Sequence, residues 1–420
     1  MKQLLLLFFG FAFFGACFVK APKNPLSDSI LNMLIYRCRV GIDPGCGAGG
    51  KDPNQPVSDP TEAGVCSDTP LQVIQPSEWS KVQAELQAQA SKGSSGPPTA
   101  TTFGIVTESA AYTGAVLAKN GKIYPIPSSA TAFVELDPDT QIFTPFAPAP
   151  GSLTFSWFGG VLAPNGNIEL IPIGASTFAS LDPIAHTVTN YGTAPGGSAF
   201  AGGTMAPNGK YYPAPYSSTT FAMIDPIARS QVNFATVPLN PGYSGAVLGP
   251  NGKIYLVPAR ASQFAELDPT TNARTDFSSF IFSFDGKWSG GAIAPNGKIY
   301  VAPDNYTFFM RINPEVPSFT LLDPAPGGIN QYSGMVLAPN GKIYGIPFAA
   351  TSFVEIDPTT DTFTYFGTAP GGGAWMGGIL APNGKIYGIP YNAGAFVEID
   401  PKANGRICDA ILQSAYLNKF

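Results

Sequence analysis

The sequence predicts an all-β chain folded as a seven-bladed β-propeller of four-stranded antiparallel blades, and three observations carry that prediction. Between residues 120 and 384 Asn-Gly recurs seven times, at Asn120, Asn165, Asn208, Asn251, Asn296, Asn340 and Asn383, and a period of about 44 residues is the length of one blade. Counted from each Asn, Pro stands at +7, Phe at +13 and Pro at +18 in every copy, and +17 is Asp except for Asn313. The third observation joins the chain ends. Thr101–Gly104 (TTFG) precedes the first repeat and matches Thr364–Gly367 (TYFG), while the last repeat has no counterpart after Pro401. The N-terminal strand is therefore expected to complete the last blade and leave no open sheet edge.

Residues 1–16 read as an export signal: Lys2, an apolar run Leu4–Phe14, then small residues. Such a run is too short to span a bilayer and fits a signal sequence. Phe14-Gly15-Ala16-Cys17 resembles a bacterial lipobox, which implies a lipid on Cys17 and a place in the cell envelope, outer membrane or surface rather than inner membrane. Cleavage by an ordinary signal peptidase after Ala16 is the alternative. Either way the protein is expected to be exported.

Residues 17–98 are expected to form a separate helical and loop segment, a tether. Ser27–Tyr36 fits a short helix, and Asp43–Pro60 is a loop rich in Gly, Pro and Asp. Glu78–Ser91 carries Trp79, Val82 and Leu86 at helical spacing, and Ser91–Pro98 (SKGSSGPP) reads as a flexible hinge. The propeller then spans 99–407 and a tail 408–420. Cys38, Cys46, Cys66 and Cys408 are an even set suited to two disulfides in an oxidising compartment; a zinc site lacks any C-x-x-C pair.

Within a repeat the turn chemistry sets the strand boundaries. In the sixth copy, Ser333–Ala338 is the first strand and Pro339-Asn340-Gly341 its turn, Gly taking the positive φ. Lys342–Pro347, Phe353–Asp357 and Thr362–Phe366 follow. Asp at +17 is suited to an Asx-turn stiffened by the next Pro, and Asn313 can replace it. This column is structural rather than catalytic.

Composition narrows the function. The chain of 420 residues has 47 Gly and 42 Pro, only 12% charged residues, a net charge of −5 and one histidine. Periodic Gly and Pro are turn residues, and the absence of a basic cluster argues against nucleic acid. The invariant turns lie on one face of such a ring, and the variable loops on the other, where a site is expected. There an aromatic precedes each Asn-Gly by eight residues: Tyr112, Trp157, Phe200, Tyr243, Trp288, Tyr332 and Trp375. Two residues later comes a Gly in every copy, from Gly114 to Gly377, suited to a crowded axis. The aromatics read either as wedges between blades or as a stacking platform around the channel mouth. Breaks in the repeat, Arg260, Lys287, Asp304 and Arg311, suggest a charged sector on the same face. Glu169 and Asn167, where the other copies have Tyr and Lys, read as local repacking.

The run Ala338–Pro347 (APNGKIYGIP) with Val354–Pro358 (VEIDP) resembles repeats of seven-bladed propeller proteins of the NHL, YVTN, quinoprotein-like and gluconolactonase-like groups, over residues 99 to about 405. A streptogramin-lyase likeness would imply a catalytic histidine with a metal, but His186 sits in a turn of the invariant face. A gluconolactonase likeness would imply Glu, Asn and Asp converging on a channel metal; Glu135, Glu266, Glu355 and Glu398 belong to a repeat column instead. No G-x-S-x-G elbow is present. The sequence thus favours a non-catalytic, monomeric binding lipoprotein with no cofactor or metal, its partner a protein or a small or saccharide-like ligand. It would touch membrane only through its lipid. A propeller enzyme (lactonase, lyase or quinoprotein-like) and a structural envelope scaffold are the alternatives.

Overall fold

Strand-forming residues alternate with Asn-Gly and Asp-Pro turns, and each pair of turns folds four strands into one sheet. The computed structural model describes residues 79–418 apart from 150–154, 238–241, 280–285 and 327, all within one unit, Pro60–Phe420. Seven antiparallel four-stranded sheets follow one another around an axis. Blades 1 to 6 run Tyr112–Pro148, Trp157–Tyr191, Phe200–Thr236, Tyr243–Ser279, Trp288–Pro324 and Tyr332–Phe366. Blade 7 has three strands from Trp375 to Asp400. Its fourth is the N-terminal strand Thr99–Phe103, antiparallel to Phe396–Asp400 with Thr101 opposite Glu398. The ring is closed by its two chain ends, as the matching TTFG and TYFG segments require.

The repeat columns explain the closure of each seam. The Asp column accepts backbone N–H bonds two residues on in every blade, for example Asp139 N to Asp137 at 2.9 Å and Glu315 N to Asn313 at 3.2 Å. These are the expected Asx-turns. The Asn column has a second task. Asn340 takes the Lys342 N–H on Oδ1 at 3.1 Å, and donates from Nδ2 to Tyr344 Oη at 3.0 Å and to the Pro401 carbonyl of the next blade at 3.3 Å. Equivalent Asn-to-Pro links join Asn208 to Pro269, Asn251 to Pro314, Asn296 to Pro358 and Asn383 to Pro138. The Tyr at +4 donates to the same carbonyl, as in Tyr387 to Pro138 at 2.6 Å. Each staple buries polar groups only because all are satisfied.

Two segments differ from the sequence reading. The helix Trp79–Ser91 is part of the propeller body, not of a separate tether: Trp79, Val82 and Leu86 lie in the main hydrophobic core. Gln83 Nε2 donates to the Pro295 carbonyl at 2.9 Å, and Ala90 stands so close to Gly341 that a Cβ there would meet it at 2.5 Å. The Ser91–Pro98 hinge is likewise pinned, by Ser95 N to Lys402 O at 2.7 Å and Asn404 N to Gly93 O at 3.0 Å. The tail is equally integral. Asn418, buried, exchanges two bonds with the backbone of Leu117 in blade 1, at 2.9 and 2.7 Å. Thr204 of blade 3 donates to Ala415 O at 3.4 Å, and Tyr416 packs on Trp79 with centroids 5.0 Å apart. Apolar residues spaced for burial, with no free partner on their own element, make these contacts.

Candidate functional site: a one-ended axial channel

Contacts with blades 1, 3, 5 and 6 carry the helix and tail across the axis on the turn face. Among the described residues the channel is therefore left open towards the variable loops. Its wall is the innermost strand of each blade. The seven column glycines, Gly114, Gly159, Gly202, Gly245, Gly290, Gly334 and Gly377, all have positive φ, and in each blade the register shifts where that Gly stands. These are glycine bulges. A side chain cannot enter: a Cβ on Gly290 would meet Gly334 Cα at 3.0 Å. The crowded axis expected from the glycine column is observed. Ser244, Ser289, Phe158 and Met335 complete a cavity of about 20 Å³ there, room for one water-sized group.

The aromatic column takes the packing alternative. All seven rings are buried, each wedged against the +13 Phe of the preceding blade where that contact is described: Phe264 against Trp288 at 6.3 Å, Phe353 against Trp375 at 5.6 Å. The polar tips of Trp288 and Tyr332 are used within their own blade, Trp288 Nε1 on Phe308 O at 2.9 Å and Tyr332 Oη on Ser352 O at 3.1 Å, whereas Trp157 Nε1 is buried without a partner among the described residues. No face of Tyr112, Trp157, Phe200, Tyr243, Trp288, Tyr332 or Trp375 is open to stack a ligand.

The charged sector is only partly assembled. Arg260 lies 4.6 Å over the Tyr216 ring, and Lys287, fully buried, donates from Nζ to Arg260 O at 3.1 Å. Asp304 N bonds Lys287 O at 3.0 Å, and burial pushes the Asp304 carboxyl up to about 6. Arg311 does not belong with them. It sits at the turn end of its strand and pairs with Asp361 of blade 6, because +15 faces the same end as the Lys column. His186, also on the turn face, stacks on Phe146 at 4.3 Å with Nε2 3.1 Å from Glu135. Cys17, Cys38, Cys46 and Cys66 lie outside the described residues; Cys408 is the N-cap residue of the short helix Asp409–Leu412. Among the described residues no group of three His, Cys, Asp or Glu is placed to hold a metal.

One feature escaped the sequence reading and a second goes beyond it. The loop after the +7 Pro brings Phe348 and Tyr391 together at 5.6 Å, and Phe155 approaches Tyr391 at 6.3 Å. Phe155 is 40% exposed with φ +63°, and nothing in the repeat register marked it. The second feature is at the seam of blades 2 and 3. Glu169, fully buried, accepts from Ser180 Oγ at 2.8 Å and Tyr191 Oη at 2.6 Å, and Tyr191 lies 2.9 Å from Tyr211 Oη. Tyr211 stands where the other six copies have Ile at +3, so three repeat breaks form one chain. Burial pushes the Glu169 carboxyl up to about 7.

No family model matches the chain, and no curated protein is similar to it in sequence. Solved structures are similar in fold. Virginiamycin B lyase from Staphylococcus aureus superposes with a TM-score of 0.61 at 11% identity, over 72% of this chain and 99% of that one. A streptogramin B lyase gives 0.62 at 12%, over 72% and 97%. A domain described as the extracellular part of a hybrid two-component system from B. thetaiotaomicron gives 0.55 at 11%, over 73% of this chain and 43% of that chain. In fold this chain is a seven-bladed β-propeller, similar in architecture to those lyases and to that extracellular domain.

Proposed function

We propose that the protein is a non-catalytic binding protein that takes its ligand at the variable-loop mouth of the axial channel. One observation supports this most directly: among the described residues, helix and tail cover the turn-face end of the channel and leave the mouth as the entrance, and the partly exposed rings Phe155, Phe348 and Tyr391 lie on the variable-loop face. Concave sites with a few placed polar groups are where ligands bind. A lyase reading has less support. The inactive virginiamycin B lyase carries a histidine-to-alanine change, whereas the single histidine here is a turn-face residue stacked on Phe146.

The test is a thermal-shift screen of oligosaccharides, short peptides and metabolites, with hits mapped by hydrogen exchange. Protection at residues 155–158 and 391–394 is expected. Protection confined to the Asn-Gly and Asp-Pro turns would overturn the assignment, and turnover of a hit would make the protein an enzyme.

The same reading includes export, a lipid on Cys17, and a disulfide from Cys408 to one of Cys38, Cys46 or Cys66. Leu4–Cys17 supports the first two. Cys17→Ser should abolish incorporation of labelled palmitate; unchanged labelling removes the anchor.

A further inference from the structure

We infer that the mouth recognises a neutral saccharide, one sugar ring lying on the aromatic cluster and its hydroxyl edge reaching the axial cavity. This rests on the binding role proposed above.

The first observation is in the cavity floor. Thr113, Ser244, Ser289 and Ser333 occupy one repeat position, seven residues before the Asn. Thr113 donates to Trp157 O at 3.0 Å and Ser333 to Trp375 O at 2.8 Å, so each is satisfied by the next blade. Ser244 and Ser289, neighbours around the ring, line the cavity with 8% exposure each. Neither hydroxyl has a hydrogen-bond partner among the described residues. Where Thr113 and Ser333 are spent on the next blade, these two hydroxyls face the cavity and are open to a partner that enters from the mouth. With about 20 Å³, the cavity admits a hydroxyl group and not a ring.

Charge decides the class of that partner. No ionisable side chain lines the cavity, so a carboxylate, phosphate or ammonium entering it would lose its water with no counter-charge. The entering group is therefore neutral and able both to donate and to accept, as each Ser hydroxyl is.

The rim supplies a surface for the rest of the molecule. Phe155 holds a left-handed backbone at φ +63° while its ring is 40% exposed. Such a conformation in a non-glycine residue is uncommon and clusters at ligand sites. Beside Tyr391, Asn392 has its Oδ1 fixed by Ser109 Oγ at 2.8 Å and Ala110 N at 3.0 Å. Its Nδ2 makes no hydrogen bond among the described residues and remains a donor. An aromatic surface, an amide donor and two hydroxyls, all uncharged, match a sugar ring with one C–H face and an edge of hydroxyls. A planar aromatic ligand would use the rings and leave the serines unpaired.

The experiment is calorimetric titration of the full chain with neutral oligosaccharides (cellohexaose, maltohexaose, chitohexaose and mannohexaose), with a heparin hexasaccharide and hexa-alanine as comparisons. At least one neutral sugar should bind saturably and the heparin fragment should not. Phe155→Ala should weaken that binding roughly three- to ten-fold, with Phe155→Tyr restoring it. The double change Ser244→Ala with Ser289→Ala should weaken it at least as much without lowering the melting temperature, since it removes unpaired hydroxyls. Sugar binding indifferent to both variants would overturn the inference. Mouth protection by a peptide or metabolite with no sugar bound would overturn the sugar class and keep the binding role; no protection of the mouth by any compound would remove both.

Discussion

Glu169→Gln offers a sharp test of the packing described here, because the carboxyl has only neutral donors: Ser180, Tyr191 and, through it, Tyr211. Arg229 is the charge nearby that favours ionisation, and Asn167, donating to Ser180 at 3.1 Å, stands where other blades have Lys. Burial dominates and raises the carboxyl from 4.5 to about 7. A raised acid keeps its proton in the folded state after the unfolded chain has lost it. The folded state therefore binds more protons between pH 4.5 and 7, and stability must fall as pH rises through that window. At 1.36 kcal/mol per unit the loss is about 3 kcal/mol. Gln retains an acceptor for Tyr191 and cannot ionise. Denaturant unfolding at pH 5, 6, 7 and 8 should show the parent losing stability relative to the variant, with near equality at pH 5 and the variant ahead by about 2–3 kcal/mol at pH 8. Parallel pH profiles would refute a buried, uncompensated carboxyl.

Trp288→Ala should cost about 3–5 kcal/mol through its cavity. With roughly 2.1 cal/mol/K of unfolding entropy per residue over about 320 residues, the melting temperature should drop about 5–7 °C; a drop under one degree would return the ring to the surface. Asn340→Ala, removing three bonds at a buried seam, should cost about 1–3 kcal/mol. The exposed Asn165→Ala, in a blade without that Asn-to-Pro link, should cost under about 1 kcal/mol, and denaturation midpoints of the pair check the difference. Deleting residues 99–106 should abolish the single unfolding transition; a truncated protein as stable as the parent would sink the closure.

The repeat register made the fold legible, since Asn, Pro, Phe and Asp columns each do one local job seven times. The closing strand was legible for the same reason, as a displaced copy of a repeated strand. The helix and tail resisted because they occur once and have no register to align. Their burial is set by partners such as Leu117 and Pro295, far off in sequence. The aromatic column was ambiguous because its neighbour is the +13 Phe of another blade, about 20 residues earlier in the chain. Arg311 was misplaced although its column held the answer: Glu355 and Glu398 at +15 pair with the turn-face Lys342 and Lys385. The mouth rings sit in variable loops, where no repetition marks them.

Closure of the ring by Thr99–Phe103 on Phe396–Asp400 changes how the repeats can come apart. In an open repeat array each terminal unit has one neighbour only, and melting creeps inward from there. Here every blade has two neighbours, and the would-be ends are locked together by backbone pairing. Fraying has nowhere to begin. Amide exchange in blade 7, built from both ends of the chain, should be as slow as in blade 4, opposite it, and a protease would find no weaker terminal repeat to trim.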